Sequence, residues 1–348
     1  MKTNKLGKSG LEVSAYCLGT MTFGEQTGEA DAHKQIDMAL DAGINFIDTA
    51  ELYPTIPLRA ETAGNTEKII GSWLEKNKEK RKDVIIASKV VGKGYEAIRN
   101  GDPINPAGMR QALDKSLISL NTDVIDLYQL HWPNRGSYHF RQIWGYNCDN
   151  HVKTEILDDM EKLVETLYNF KREGKIRAIG LSNETCWGTM QFVNICSKYD
   201  ELCIASIQNE YSLLCRLHDT DMSELSKNED IPLLAYSPLA GGLLSGKYLN
   251  NNKPQDSRLS RTPTIFGRVN ERSSQAVQSY VELAKKNQID PVHMALSFCK
   301  QRAFMGSVIF GASTSDQLKT ILAGVDVELK DDILKEIDDI NRNNPMTF

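Results

Sequence analysis

Asp48, Tyr53, Lys89 and His131 are the residues of this chain whose types and placement could do chemistry. They end or closely follow short apolar runs: Asn45-Phe46-Ile47-Asp48, Val84-Ile85-Ile86-Ala87-Ser88-Lys89 and Leu127-Tyr128-Gln129-Leu130-His131. A free tyrosine is a weak acid, with a pKa of about 10. A neighbouring ammonium favours phenolate and lowers that value. A carboxylate would hold the ammonium charged and in place, and a histidine could orient a polar oxygen. Together they form a proton-donating site that suits carbonyl reduction. Taken singly they have plainer readings. Asp48 and Lys89 read equally well as a structural ion pair, and His131 as a structural histidine. Tyr53 gives the pair a chemical purpose.

Such residues need elements that bring them together. Strand signals end near Gly19, Asp48, Lys89, His131, Ser182, Gln208, Ser237 and Gly311. Most are continuous apolar runs such as Pro232-Leu233-Leu234-Ala235-Tyr236, as expected of parallel strands buried on both faces. Helices alternate with them. Leu157, Met160, Leu163, Val164, Leu167 and Phe170 repeat at helical spacing before Gly174. Asn105-Pro106 and Asp290-Pro291 each place a cap before a first-turn proline, and Thr314 to Gln317 has capping-box spacing. Eight such units predict a (β/α)8 TIM barrel, whose C-terminal strand ends share one mouth where catalysis is found. On pattern alone a doubly wound sheet also fits. Gly7-Lys8-Ser9-Gly10 between short extended pieces predicts an N-terminal hairpin plugging the barrel floor. With no linker, repeat or low-complexity segment, residues 1–348 read as a single domain.

Composition narrows the partners. The chain is 41% hydrophobic and 25% charged, with a formal net charge of −5 and no basic block, which argues against nucleic acid. No apolar stretch approaches the ~20 residues of a membrane span, and the N-terminus lacks a signal-peptide pattern. Seven cysteines without C-x-x-C spacing argue against a disulfide framework or a zinc site, and the six histidines show no metal spacing. These features predict a cytoplasmic protein without a metal, acting on a small molecule; they leave the oligomeric state open.

Two phosphate-binding patterns are weak. Gly92 to Ala97 fits a loose dinucleotide fingerprint, but Gly101 and Pro103 break the helix it must open. Gly241 to Lys247 nearly matches a Walker loop, but Tyr248 stands where a Ser or Thr hydroxyl is required. Lys247 and nearby backbone amides could still touch a phosphate.

In order along the chain, Leu18-Gly19-Thr20-Met21, Gly43 to Tyr53, Ala87-Ser88-Lys89, Asp126 to Pro133, Gly174 to Asn183, Gln208 to Leu214, Tyr236-Ser237-Pro238-Leu239 and Gly311-Ala312-Ser313 resemble the aldo-keto reductases. The bacterial Tas-like branch is nearest in pattern, and the potassium-channel β-subunit branch is similar in its cofactor loops. The resemblance implies reduction of aldehydes or ketones with NADP(H) bound at the barrel mouth, and a catalytic tetrad of Asp48, Tyr53, Lys89 and His131. It implies that Ser182, Asn183 and Gln208 bind the nicotinamide carboxamide and that Tyr236 stacks on the ring. Ser237, Pro238, Leu239, Ala240, Gly241 and Leu243 would wrap the pyrophosphate. Lys247, Arg258, Ser313 and Gln317 would hold the adenosine and its 2′-phosphate, and Gly19, Thr20, Met21 and Gly311 complete the cofactor set. Many members continue with Glu-Asn where this chain has Thr320-Ile321, and isoleucine cannot hydrogen-bond adenine. A nicotinamide-binding redox sensor with little turnover is the alternative reading. A Schiff-base enzyme using Lys89 is a third.

Pro54–Asn65, Pro133–Lys153 and Ala240–Arg272 exceed normal loop length. The second leaves a catalytic strand end and holds five aromatics. Phe23, Trp132, Trp144 and Tyr146 are therefore predicted to wall the substrate pocket, with Ala240–Arg272 closing over the cofactor. Packing of the second segment on the outer helices is the alternative.

Overall fold

The computed structural model describes all of residues 1–348. Two short strands, β1 (Thr3–Lys5) and β2 (Glu12–Ser14), pair antiparallel. Eight more follow: β3 (Tyr16–Gly19), β4 (Phe46–Asp48), β5 (Ile85–Val90), β6 (Ile125–Leu130), β7 (Ile176–Ser182), β8 (Ile204–Glu210), β9 (Leu233–Tyr236) and β10 (Met305–Phe310). All eight pair in parallel in chain order, and β10 pairs with both β9 and β3, so the sheet closes into a barrel. Closure excludes the doubly wound alternative. The fold is a (β/α)8 barrel with an N-terminal hairpin.

The helices form where apolar spacing and caps predict them. Lys153–Arg172 buries Met160, Leu163, Val164, Leu167 and Phe170. Gly174 then turns the chain at φ +71, a conformation that costs glycine little. Asn105 accepts from the Gly108 N–H at 2.9 Å and Asp290 from the Val292 N–H at 2.7 Å. The predicted box at Thr314 forms by half. Thr314 caps the Gln317 N–H, but the Gln317 side chain reaches back to the Ser313 N–H at 3.0 Å instead of closing on Thr314.

The barrel interior is layered. Leu6, Leu11 and Val13 from the hairpin region pack with Cys17, Phe46, Ala87, Leu127, Ala178 and Leu234 into a dry floor. Side chains alternate along a strand, so residues two positions on point into the same interior one layer higher. That layer contains Asp48, Lys89 and Gln129. No helix is long and apolar enough to cross a membrane.

Candidate active site

The strand ends bring the four predicted residues together. Lys89 Nζ donates to Asp48 Oδ2 at 2.7 Å and to the Thr49 carbonyl at 2.7 Å, with both side chains buried. The same Nζ lies 4.9 Å from the centre of the Tyr53 ring. The Tyr53 and His131 rings meet edge to face, centroids 5.9 Å apart. Tyr53 itself stays partly exposed. Asp48 has further support, since Gln208 Nε2 donates to its Oδ1 at 2.8 Å and to Gln129 Oε1 at 3.3 Å.

At Tyr53 the raising influences dominate: burial pushes the phenol well above its ordinary value, and the nearby Asp48 carboxylate pushes the same way. Lys89 is paired with Asp48 at contact distance, and its ammonium lies over the Tyr53 ring face. Tyr53 therefore holds its proton at neutral pH. His131 is driven well below its ordinary value by burial and by Lys89, so its imidazole is neutral. Its Nδ1 is buried without a partner.

Other predicted residues lie at or after the ends of β3, β7, β8, β9 and β10. Thr20 Oγ1 donates to the Asp48 carbonyl at 2.8 Å, beside Gly19 and Met21. Asn183 Nδ2 donates to the His131 carbonyl at 3.0 Å and to Ser182 Oγ at 3.1 Å, and Tyr236 Oη donates to Asn183 Oδ1 at 2.7 Å. Ser182 Oγ donates to the Gln208 carbonyl at 2.9 Å. Ser237, Pro238 and Leu239 lead into a short helical turn, Ala240–Ser245, that includes Gly241 and Leu243. Ser313 follows Gly311 at the end of β10, where its Oγ donates to Gln26 Oε1 at 3.2 Å. Ile321 faces the core, 5% exposed, so it offers adenine nothing.

Two cations without acidic partners test whether a phosphorylated cofactor fits. Arg258 makes no ion pair and no side-chain hydrogen bond, and burial together with the nearby Arg268 charge pushes it down to about 10. An anion is the partner that such a group fits. Lys247 folds its ammonium back across Gly242 and over the Tyr248 ring at 5.1 Å. Phosphate groups would suit both.

The pocket residues are more scattered. Trp132 tilts against His131, centroids 4.8 Å apart, and its indole N–H donates to the Lys93 carbonyl at 3.0 Å. It can lie there because residue 92 is glycine, where a Cβ would come within 2.4 Å of the indole. Phe23 is wholly buried, Trp144 is 70% exposed, and Tyr146 packs edge-on against Tyr138. None of these four lines the 190 Å³ cavity on this side of the barrel, which is walled instead by Phe140, Leu214, Met346 and Phe348 among others. The three residues predicted to wall a pocket with Trp132 thus end up in the interior, on the surface and against another loop aromatic.

Some residues beside the candidate site gave no local signal. Glu210, at the end of β8, accepts from Arg268 Nε and from Arg141 Nη1, both at 2.8 Å. Arg141 also bonds the Phe266 carbonyl at 2.5 Å, so the two longest loops are joined beside the mouth. Gln129 was detectable in principle, as an amide inside an apolar run two residues before His131.

The site is thus a buried lysine–carboxylate pair under a tyrosine at the mouth of a closed parallel barrel. The sequence model of the Aldo/keto reductase family matches residues 15–342, and the chain belongs to that family. Members of this family use nicotinamide cofactors. The chain is 43% identical to "Protein tas" of Escherichia coli (strain K12), over 98% of each chain. It is 32% identical to an "Uncharacterized oxidoreductase YrpG" of Bacillus subtilis, over 98% of this chain and 96% of the other. A "Putative voltage-gated potassium channel subunit beta" of Schizosaccharomyces pombe is 26% identical, over 98% of this chain and 93% of the other.

Proposed function

We propose that this protein reduces aldehydes or ketones to alcohols with NADPH as reductant. The observation that carries the reading is the convergence of four groups: Lys89 Nζ 2.7 Å from Asp48, 4.9 Å from the Tyr53 ring centre, and Tyr53 against His131. NADPH, when bound, supplies the hydride to the carbonyl carbon. Tyr53 gives its hydroxyl proton to the carbonyl oxygen, so one hydride and one proton complete the alcohol. A phenol that stays protonated is in the right form for that step. Burial disfavours a free phenolate, and the Lys89 ammonium beneath the ring stabilises the negative charge as the proton leaves. Asp48 holds Lys89 in that position. His131, neutral and packed against Tyr53, positions the carbonyl. Asn183, Gln208, Ser182 and Tyr236 form the nicotinamide end of the cofactor site, and Arg258 with Lys247 the 2′-phosphate end.

The test is NADPH oxidation across a panel of aldehydes, ketones and quinones, with NADPH and NADH affinities from intrinsic fluorescence quenching. NADPH should bind more tightly, with a preference that weakens as salt rises. Arg258→Ala should weaken NADPH by at least ~10-fold, about 1.4 kcal/mol, and NADH far less. Equal affinities in the wild type would remove the NADP(H) assignment. Tight cofactor binding without turnover of any carbonyl would favour a redox-sensing binding protein, the reading raised by the relative named as a putative channel subunit.

A further inference from the structure

The segment bearing Tyr53 is fastened to the strand bearing Lys89 by a pair outside the four catalytic groups. Glu51 lies two residues before Tyr53 and is buried, with 3% of its side chain exposed. Its backbone N–H donates to the Lys89 carbonyl at 3.2 Å. Its Oε1 accepts from the Val91 N–H and from Arg99 Nη2 at 2.7 Å, and its Oε2 from Arg99 Nη1 at 2.6 Å. Arg99 Nη2 also donates to the Val91 carbonyl at 2.9 Å. Both polar ends of Glu51 are thus satisfied by the exit of β5, through a forked guanidinium arriving from 48 positions away.

A buried ion pair adds little net stability over a well-packed apolar replacement. What a two-pronged pair adds is direction, because two parallel bonds fix the orientation of both partners. Burial works against the Arg99 charge, and the Glu51 contacts outweigh it. The backbone fixed this way connects Asp48 to Tyr53, the two residues that must face Lys89 from different sides.

We infer that Glu51 and Arg99 are positioning residues, holding the 48–53 segment against the exit of β5 so that the Tyr53 ring keeps its place over Lys89 Nζ. The kinetic part of this inference rests on the proposed carbonyl reduction. The tether itself does not.

The test is Glu51→Gln in the full chain, compared with wild type and with Arg99→Lys. Glutamine can still accept from the Val91 N–H, and Arg99 retains some solvent contact, so the variant keeps its fold. Its kcat should fall by ~10- to 10²-fold, the scale of a misplaced catalytic group. KM and NADPH affinity should change little. The isotope effect on kcat with C4-deuterated NADPH should rise, because the chemical step becomes limiting. Arg99→Lys, which keeps the charge, should lose less of the rate than Glu51→Gln. Amide hydrogen exchange supplies a readout independent of turnover: residues 49–54 and 90–101 should lose protection together while β7 and β8 stay protected. Wild-type kcat in Glu51→Gln would overturn the kinetic role. Unchanged exchange in both segments, or uniform loss across the barrel, would overturn the tether. If the wild type reduces no carbonyl, the exchange result still decides the tether, and the proposed function is what fails.

Discussion

The floor and the mouth of this barrel are built from the same strands, one pleat step apart. Phe46 points into the floor and Asp48, two residues on, into the mouth; Ala87 is followed by Lys89 in the same way, and Leu127 by Gln129. The floor is sealed by the hairpin region and holds only apolar side chains. The layer above it holds a buried ammonium, a carboxylate and two amides in one hydrogen-bonded network. The two layers divide the tasks of the fold. The dry floor holds the strand ends in register. The polar layer buries charged and amide groups that depend on one another for their hydrogen bonds.

Breaking the polar layer should have the larger consequences. Lys89→Met leaves the Asp48 carboxylate buried without its cation. It should cost about 3–5 kcal/mol in urea unfolding, the scale of a halved buried pair, and lower carbonyl reduction by at least ~10²-fold. Adding Asp48→Asn should restore much of the stability and none of the activity. A single variant as stable as wild type would mean the pair is already solvated.

Breaking the floor should separate the two properties. Phe46→Ala opens a cavity in a fully buried cluster and should cost about 3–5 kcal/mol. Its kcat, measured well below the new Tm, should be nearly unchanged. A large fall in kcat with little loss of stability would show that floor and mouth are not separable.

A smaller effect sharpens the same contrast outside the barrel wall. Glu67 is buried behind β5, where Ser88 Oγ donates to it at 2.6 Å, and burial raises its pKa from 4.5 to about 7. An acid with a raised folded-state value destabilises the fold once it must ionise. The loss begins near pH 4.5, grows to about pH 7 and then stays constant, reaching about 3 kcal/mol. Glu67→Gln keeps an acceptor for Ser88 and should stabilise the protein more at pH 8 than at pH 5. Equal gains in Tm at both pH values would contradict the assignment of the cost to ionisation.

Much of the frame was legible because buried parallel strands are apolar runs that end where the chain turns polar. Asp48, Lys89 and His131 each mark such an end, so the fold and the candidate centre emerged from one pattern. The supporting pairs were not legible for a physical reason. Arg99 reaches Glu51 across 48 positions, and Arg268 reaches Glu210 across 58, so no local spacing links them. A charge destined for burial looks the same in sequence as one on the surface. The balance at Tyr53 was illegible for a related reason: residue types show that Lys89 is near, but only geometry shows how the phenol is buried and how close Asp48 lies. The placement of the pocket aromatics was illegible because hydrophobic character does not say which way a loop side chain turns, as Phe23 and Trp144 illustrate from opposite extremes of exposure.

In the proposed mechanism Tyr53 supplies the proton, and the other members of the site only hold it ready. Tyr53→Phe removes the transferable proton and leaves the ring over Lys89. With a carbonyl substrate that the wild type turns over, kcat for NADPH-dependent reduction should fall by at least ~10²-fold while NADPH affinity and Tm remain close to wild type. Near wild-type turnover in Tyr53→Phe would contradict the account.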